Sequence, residues 1–190
     1  MFPGKTSRVG VLALLALSTV ALSGCILSSE DKDGTVGDHA GPNTPVTVEN
    51  AQAVFGIVFG TIKTAFDQQT SKPAGVSEER TFNGSSSGKI VMKIVPTATG
   101  RREEITITDF SNDGELFIGG KLTNDLTTME HGETGAIEGN LAFAGLYKGS
   151  IGVDVMMDAF EDFFMVQGMV KVGTTEVPVY FQPMHARVSR

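Results

Sequence analysis

From residue 78 to residue 182 the apolar side chains recur at every second position, and this period constrains the fold more than any other feature of the chain. Ile90, Met92 and Ile94 alternate with Lys89, Val91 and Lys93, and Ile105 and Ile107 alternate with Glu104, Thr106 and Thr108. Leu116, Ile118 and Leu122 mark a third segment. Ile137, Leu141 and Phe143 mark a fourth, and Tyr147, Ile151, Val153 and Val155 a fifth. Successive side chains of a strand point to opposite faces, so a period of two predicts strands with one buried face. Residues 163–172 and 176–182 continue the series, with a weaker strand at 80–82, for seven to eight strands. Asn83-Gly84, Ser111-Asn112-Asp113-Gly114, Gly145 and Gly173-Thr174-Thr175 fall between them and supply the turn residues of tight hairpins. Short turns join antiparallel neighbours, and no stretch of helical period is long enough to cross between parallel strands. The expected fold class is mainly β (α+β): an antiparallel meander sheet, curled or barrel-like, with one N-terminal amphipathic helix packed on it.

That helix is predicted between Thr47 and Gln69. Val48, Ala51, Val54, Phe55, Val58, Phe59, Ile62 and Phe66 recur at helical spacing and form one stripe. Thr47 is the expected N-cap, and Lys72-Pro73 stops the run. Gly56 and Gly60 each cost about 1 kcal/mol relative to Ala inside a helix. Close approach of the backbone to the sheet is the expected compensation.

The chain begins with a different pattern. Lys5 and Arg8 precede a predominantly apolar run from Val9 to Leu22, 14 residues long and free of charge. Spanning a bilayer core takes about 20 residues, so the run has the length of a signal-peptide core rather than of a permanent anchor. Leu22-Ser23-Gly24-Cys25 follows, with the chain's only cysteine last. This segment resembles the signal sequence and lipobox of bacterial lipoproteins. The resemblance covers about the first 25 residues and implies cleavage before Cys25, a diacylglycerol on its sulfur and acylation of the new amino group. It also implies an outer-membrane destination, because the position after the cysteine holds Ile26 rather than the Asp that retains such proteins at the inner membrane. A plasma membrane is the alternative. The expected organisation is a signal peptide at 1–24, a flexible tether at 25–46 that is rich in Ser, Asp, Gly and Pro, and a folded domain at 47–190.

Composition removes several classes of function. With 15 Lys+Arg against 22 Asp+Glu, the net charge of -7 repels phosphate backbones, and no basic cluster offsets it. Nucleic acid is not an expected partner. One cysteine cannot build a disulfide framework or a multi-cysteine metal site. The histidines, His39, His131 and His185, sit in the tether, a loop and the tail, away from the strand faces that would fix a catalytic base. Glu130, His131 and Glu133 supply too few convergent ligands for a metal site. Asp154, Asp158, Glu161 and Asp162 read as a solvated turn rather than a glycosidase pair. No enzyme, no metal and no cofactor beyond the lipid on Cys25 are expected.

Methionine and phenylalanine gather in one hairpin, where they suit either core filling or an adaptable apolar surface. With the helix stripe they define a candidate apolar groove of Phe55, Phe59, Phe66, Met156, Phe163, Met165 and Met169. The expected function is a non-enzymatic, membrane-anchored structural or protein-interaction module of the cell envelope, its partner an envelope protein or a lipid. The alternative is a carrier or chaperone that holds an apolar ligand between helix and curled sheet.

Overall fold

The computed structural model describes residues 34–67, 77–160 and 163–182; for residue 163 it gives the backbone only. The expected signal sequence and lipobox, with Cys25, therefore lie outside the described residues, as do Lys72-Pro73, Glu161, Asp162 and His185. A short strand β1 (Thr44–Pro45) precedes helix α1 (Ala51–Asp67). Eight strands follow: β2 (Glu78–Asn83), β3 (Ser87–Pro96), β4 (Gly100–Ser111), β5 (Leu116–Met129), β6 (Gly132–Gly145), β7 (Tyr147–Phe160), β8 (Phe163–Val172) and β9 (Thr175–Phe181). They pair in sequence order from β2 to β9, every neighbour antiparallel, and β1 adds in parallel to β7. The fold is the expected antiparallel meander with a helix packed against it, and the sheet is not closed.

The sheet is curled. Adjacent strands are about 4.8 Å apart, so β2 and β8 would lie about 29 Å apart in a flat sheet. Yet one turn of α1 touches both: the Phe66 ring lies 4.9 Å from that of Phe82 on β2, and Lys63 Nζ lies 5.3 Å from the centre of the Phe164 ring on β8. The helix thus lies along the concave face. Its Ala51, Val54, Phe55 and Val58 are fully buried and join Ile90, Ile107, Phe110, Leu141 and Ile151 in the core. Burial of such side chains contributes about 1.5–3 kcal/mol each.

Two details of the helix depart from the sequence expectation. It starts at Ala51, and Asn50 rather than Thr47 forms its cap. The Asn50 carbonyl accepts the first helical bond from Val54 N, while its side-chain oxygen accepts from Thr47 N at 2.8 Å. Val48 falls outside the helix and is exposed. Gly56 has no close neighbour: a Cβ there would meet nothing within 4 Å, and one on Gly60 would make only an ordinary contact with the Phe181 ring. The expected tight approach at these glycines is absent.

The larger departure concerns residues 34–46, expected as part of a flexible tether. They form a strap laid on the convex face. Gly34 N donates to Thr108 Oγ1, Asp109 N to the Thr35 carbonyl, and Gly37 N to Asp109 Oδ1. The His39 ring stacks on Phe117 at 3.4 Å and its Nε2 lies 2.6 Å from Asp109 Oδ1. Gly119 is what lets the strap lie so close, since a Cβ there would come within 2.4 Å of the Thr35 backbone. Asn43, Thr44 and Val46 then donate to the carbonyls of Gly145, Leu146 and Lys148. This parallel pairing covers the start of β7, where β8 does not reach. A polar segment cannot offset its own ordering entropy. Here the β4–β5 and β6–β7 surfaces supply the bonds.

Candidate functional site

Under the second half of α1 the core does not close. A cavity of about 270 Å³ remains between Phe59, Ile62, Lys63 and Phe66 of the helix and the concave face of the sheet. Strand parity decides what faces it. On β4, Ile105 and Ile107 are buried, so Glu103 and Arg101, two and four positions before Ile105, point the same way. On β5 the same rule turns Asn124 inward between Leu122 and Leu126. Register aligns Ile94, Glu103, Asn124 and Ile137 in one row across β3 to β6. The cavity wall is therefore apolar through Phe82, Met92, Ile105, Leu122, Leu126, Ile137, Met157 and Phe164. It is polar at Arg80, Arg101, Glu103 and Asn124.

Arg101, Glu103 and Asn124 form one network, and Arg80 pairs separately. Arg101 Nε donates to Glu103 Oε1 at 2.7 Å, and its two terminal nitrogens grip both oxygens of Glu133, one at 2.8 Å. Asn124 Nδ2 donates to Glu103 Oε2 at 2.9 Å. Arg80 pairs with Glu78 at 3.0 Å. Burial alone would lower the Arg101 pKa, but the bonds to Glu133 and Glu103 outweigh it and hold that pKa above its ordinary value. Glu103 is 7% exposed and Asn124 4%. Asn124 Oδ1 is buried and has no hydrogen-bond partner among the described residues.

The groove expected from the sequence is only partly assembled. Phe59 and Phe66 line the cavity, while Phe55 is sealed in the core beside Phe59, ring centres 4.5 Å apart. Met156, Met165 and Met169 stand on the opposite, convex face, with Met156 and Met169 exposed. The Phe163 side chain lies outside the described residues. The inward parity of the hairpin belongs to Val155, Met157, Phe164, Val166 and Val170, so Met157 and Phe164 are the members that reach the cavity. Arg101, Glu103 and Asn124 were missed because charged and amide residues read as solvent-facing. Their signal was present in the sequence, since each shares the parity of buried isoleucines or leucines on its own strand.

Other candidates are placed elsewhere. His131 and Glu130 sit at the exposed tip of the β5–β6 hairpin, 3.8 Å apart, and Glu133 turns away to Arg101. Asp158 accepts from Thr134 Oγ1 at 2.7 Å. Among the described residues no three His, Cys, Asp or Glu side chains converge as a metal site, and no helix is long and apolar enough to cross a membrane. No protein-family model, curated protein or solved structure matches this chain.

Proposed function

We propose that this chain is a non-catalytic, lipid-anchored envelope protein whose domain carries a small apolar molecule between α1 and the curled sheet. The observation that carries the reading is the cavity of about 270 Å³ in an otherwise close-packed core. A concave, mostly apolar pocket with a few placed polar groups is the usual form of a small-molecule site. Its polar wall points the same way. Glu103 and Asn124 are buried at a cost in desolvation that their bonds offset only in part, so folding alone gives these two residues little advantage over apolar ones. The anchor rests on the lipobox Leu22-Ser23-Gly24-Cys25, which favours the outer membrane, with a plasma membrane as the alternative. A second reading, a docking module for another envelope protein, draws on the exposed Met156, Met169 and Tyr180 of the convex face.

Extraction of the protein from its native membrane, followed by mass spectrometry, tests both parts. An intact mass corresponding to residues 25–190 plus acyl chains is expected, and denaturation should release a bound small apolar compound at near-stoichiometric yield. Release of no compound from several independent preparations would sink the carrier reading. An unmodified Cys25 would sink the anchor. The Cys25→Ala variant should then lose membrane association after a carbonate wash.

A further inference from the structure

Resting on the carrier reading above, we propose that the cavity takes a single-chain carboxylate, with its tail under α1 and its head held by Lys63. The helix sets this lysine among apolar side chains. Phe59 lies four residues before it and Phe66 three after, spacings that share one helix face, and all three line the cavity. Lys63 is half-buried, and its Nζ stands 5.3 Å from the centre of the Phe164 ring, which lines the cavity too.

Burial divides the wall into two parts. Ile62, Ile105, Leu122, Leu126 and Ile137 are shut off from solvent and make an apolar floor. The part that solvent reaches carries the cations Lys63, Arg80 and Arg101 beside Phe66, Met157 and Phe164. Such a floor accepts a tail, and such a rim favours a negative head. Glu103 is the one carboxylate among the described lining residues. It is 7% exposed, and Arg101 and Asn124 each hold one of its oxygens, so its charge is matched within the wall. Arg80 is engaged by Glu78, and Arg101 by Glu103 and Glu133, so the head falls to Lys63. An ammonium on a flexible stem has three donors and can turn one to a ligand oxygen while the others keep their contacts. A hydroxyl head would gain a weaker bond there than a carboxylate, whose bond is charge-assisted on both sides. A quaternary ammonium would bring like charge and no acceptor. The volume sets the tail. Pockets for drug-sized ligands run from about 300 to 1,000 Å³, so this cavity admits one short chain against Phe59, Ile62 and Leu126 and excludes a diacyl lipid.

Methionine methyl groups provide the test, because Met92 and Met157 line the cavity while Met156 and Met169 stand on the convex face. The full chain, carrying ¹³C-methyl methionine in lipid nanodiscs, is titrated with octanoate, 1-octanol and octyltrimethylammonium, and shifts are plotted against free probe. Expected is a saturable response of Met92 and Met157 to octanoate at roughly tenfold lower concentration than to octanol, with the cation weakest and Met156 and Met169 unmoved. Lys63→Met, which keeps an unbranched side chain and removes the charge, should cut that preference to less than about threefold while octanol still saturates. Lys63→Arg should retain it. Equal response to all three probes, or preference for octanol or the cation, overturns the head-group rule and leaves the carrier reading standing. Response to none of them overturns both. An octanoate preference that survives Lys63→Met overturns the assignment of the head to Lys63. The probe series in the unaltered chain decides the rule even where a variant does not fold.

Discussion

The two halves of α1 cover the same sheet and meet opposite conditions beneath it. Under the first half, Val54, Phe55 and Val58 are shut off from solvent together with Ile90, Ile107, Phe110, Leu141 and Ile151. Under the second half, Phe59, Ile62 and Phe66 roof a cavity whose far wall carries Arg101, Glu103 and Asn124. The strands run through both regions, with the alternation interrupted in β4 only by the bulge between Ile107 and Phe110. Alternation thus decides which way a side chain faces and leaves its chemistry open. A strand of this length can stabilise the fold at one end and leave space at the other.

The strongest way to break this comparison is to truncate one phenylalanine from each half. Phe55→Ala removes a ring from a fully packed site and should cost about 3–5 kcal/mol in unfolding free energy. Phe66 is half-buried and borders existing empty space, so Phe66→Ala should cost less than half as much. Urea denaturation of both variants measures the difference. Equal losses would mean that the cavity is as tightly coupled to folding as the dry core, and the division of labour along α1 would be wrong.

The dry half also depends on a turn whose sequence signature was plain. In Ser111-Asn112-Asp113-Gly114, Asp113 Oδ1 accepts from Glu115 N at 2.8 Å and from Leu116 N at 3.0 Å, fixing the entry into β5 beside Phe110. Partial burial raises the Asp113 pKa, but the bonds from Leu116, Glu115 and Ser111 together outweigh it and hold it below the ordinary value of 3.8. A carboxyl group with a lowered folded-state pKa stabilises fully above its unfolded value, and that contribution fades as pH falls through the folded one. Asp113→Ala should therefore cost about 1 kcal/mol at neutral pH, allowing for solvent screening at an exposed site, and less than half of that near pH 3. A pH-independent difference between the two proteins would show that the turn is held by its backbone and not by the carboxylate.

How much of this was legible depended on whether a residue's role was set locally. The eight meander strands were, because their period and turn residues are properties of short windows. β1 was not: Thr44–Pro45 is two residues long, includes a proline without an N–H, and exists only because the start of β7 lacks a β8 partner. The strap of residues 34–46 was misread for the same reason, since its bonds go to Thr108, Asp109 and Gly145, far away in sequence. Asp109 adopts a left-handed φ of 51° at the bulge between Ile107 and Phe110, and from there its side chain meets Gly37 and His39. Half of the groove was misplaced because both faces of β8 are apolar, and composition cannot say which one is covered. The polar wall was within reach, because Arg101, Glu103 and Asn124 keep the parity of their buried neighbours. What hid it was the habit of assigning charge to the solvent side.

The smallest expected effect sharpens the comparison along the helix itself. Gly56 lies on α1 before the cavity begins, and a methyl group there would touch nothing within 4 Å. Gly56→Ala should therefore stabilise the protein by about 0.5–1 kcal/mol, through the lower entropy of the unfolded chain and better helix propensity. Gly60→Ala should gain a similar amount, since its Cβ would rest at 3.8 Å from the Phe181 ring, an ordinary contact. The two differ in what they leave beneath them: Gly60 is flanked by Phe59 and Ile62, which roof the cavity, whereas Gly56 sits beside the sealed Phe55. Stiffening the helix at Gly60 should consequently slow exchange of the Met92 and Met157 methyl environments, whereas Gly56→Ala should leave them unchanged. Thermal unfolding and methyl relaxation measure the two effects separately. A loss of stability in Gly56→Ala would mean that the helix lies closer to its neighbours than the open space at this position allows.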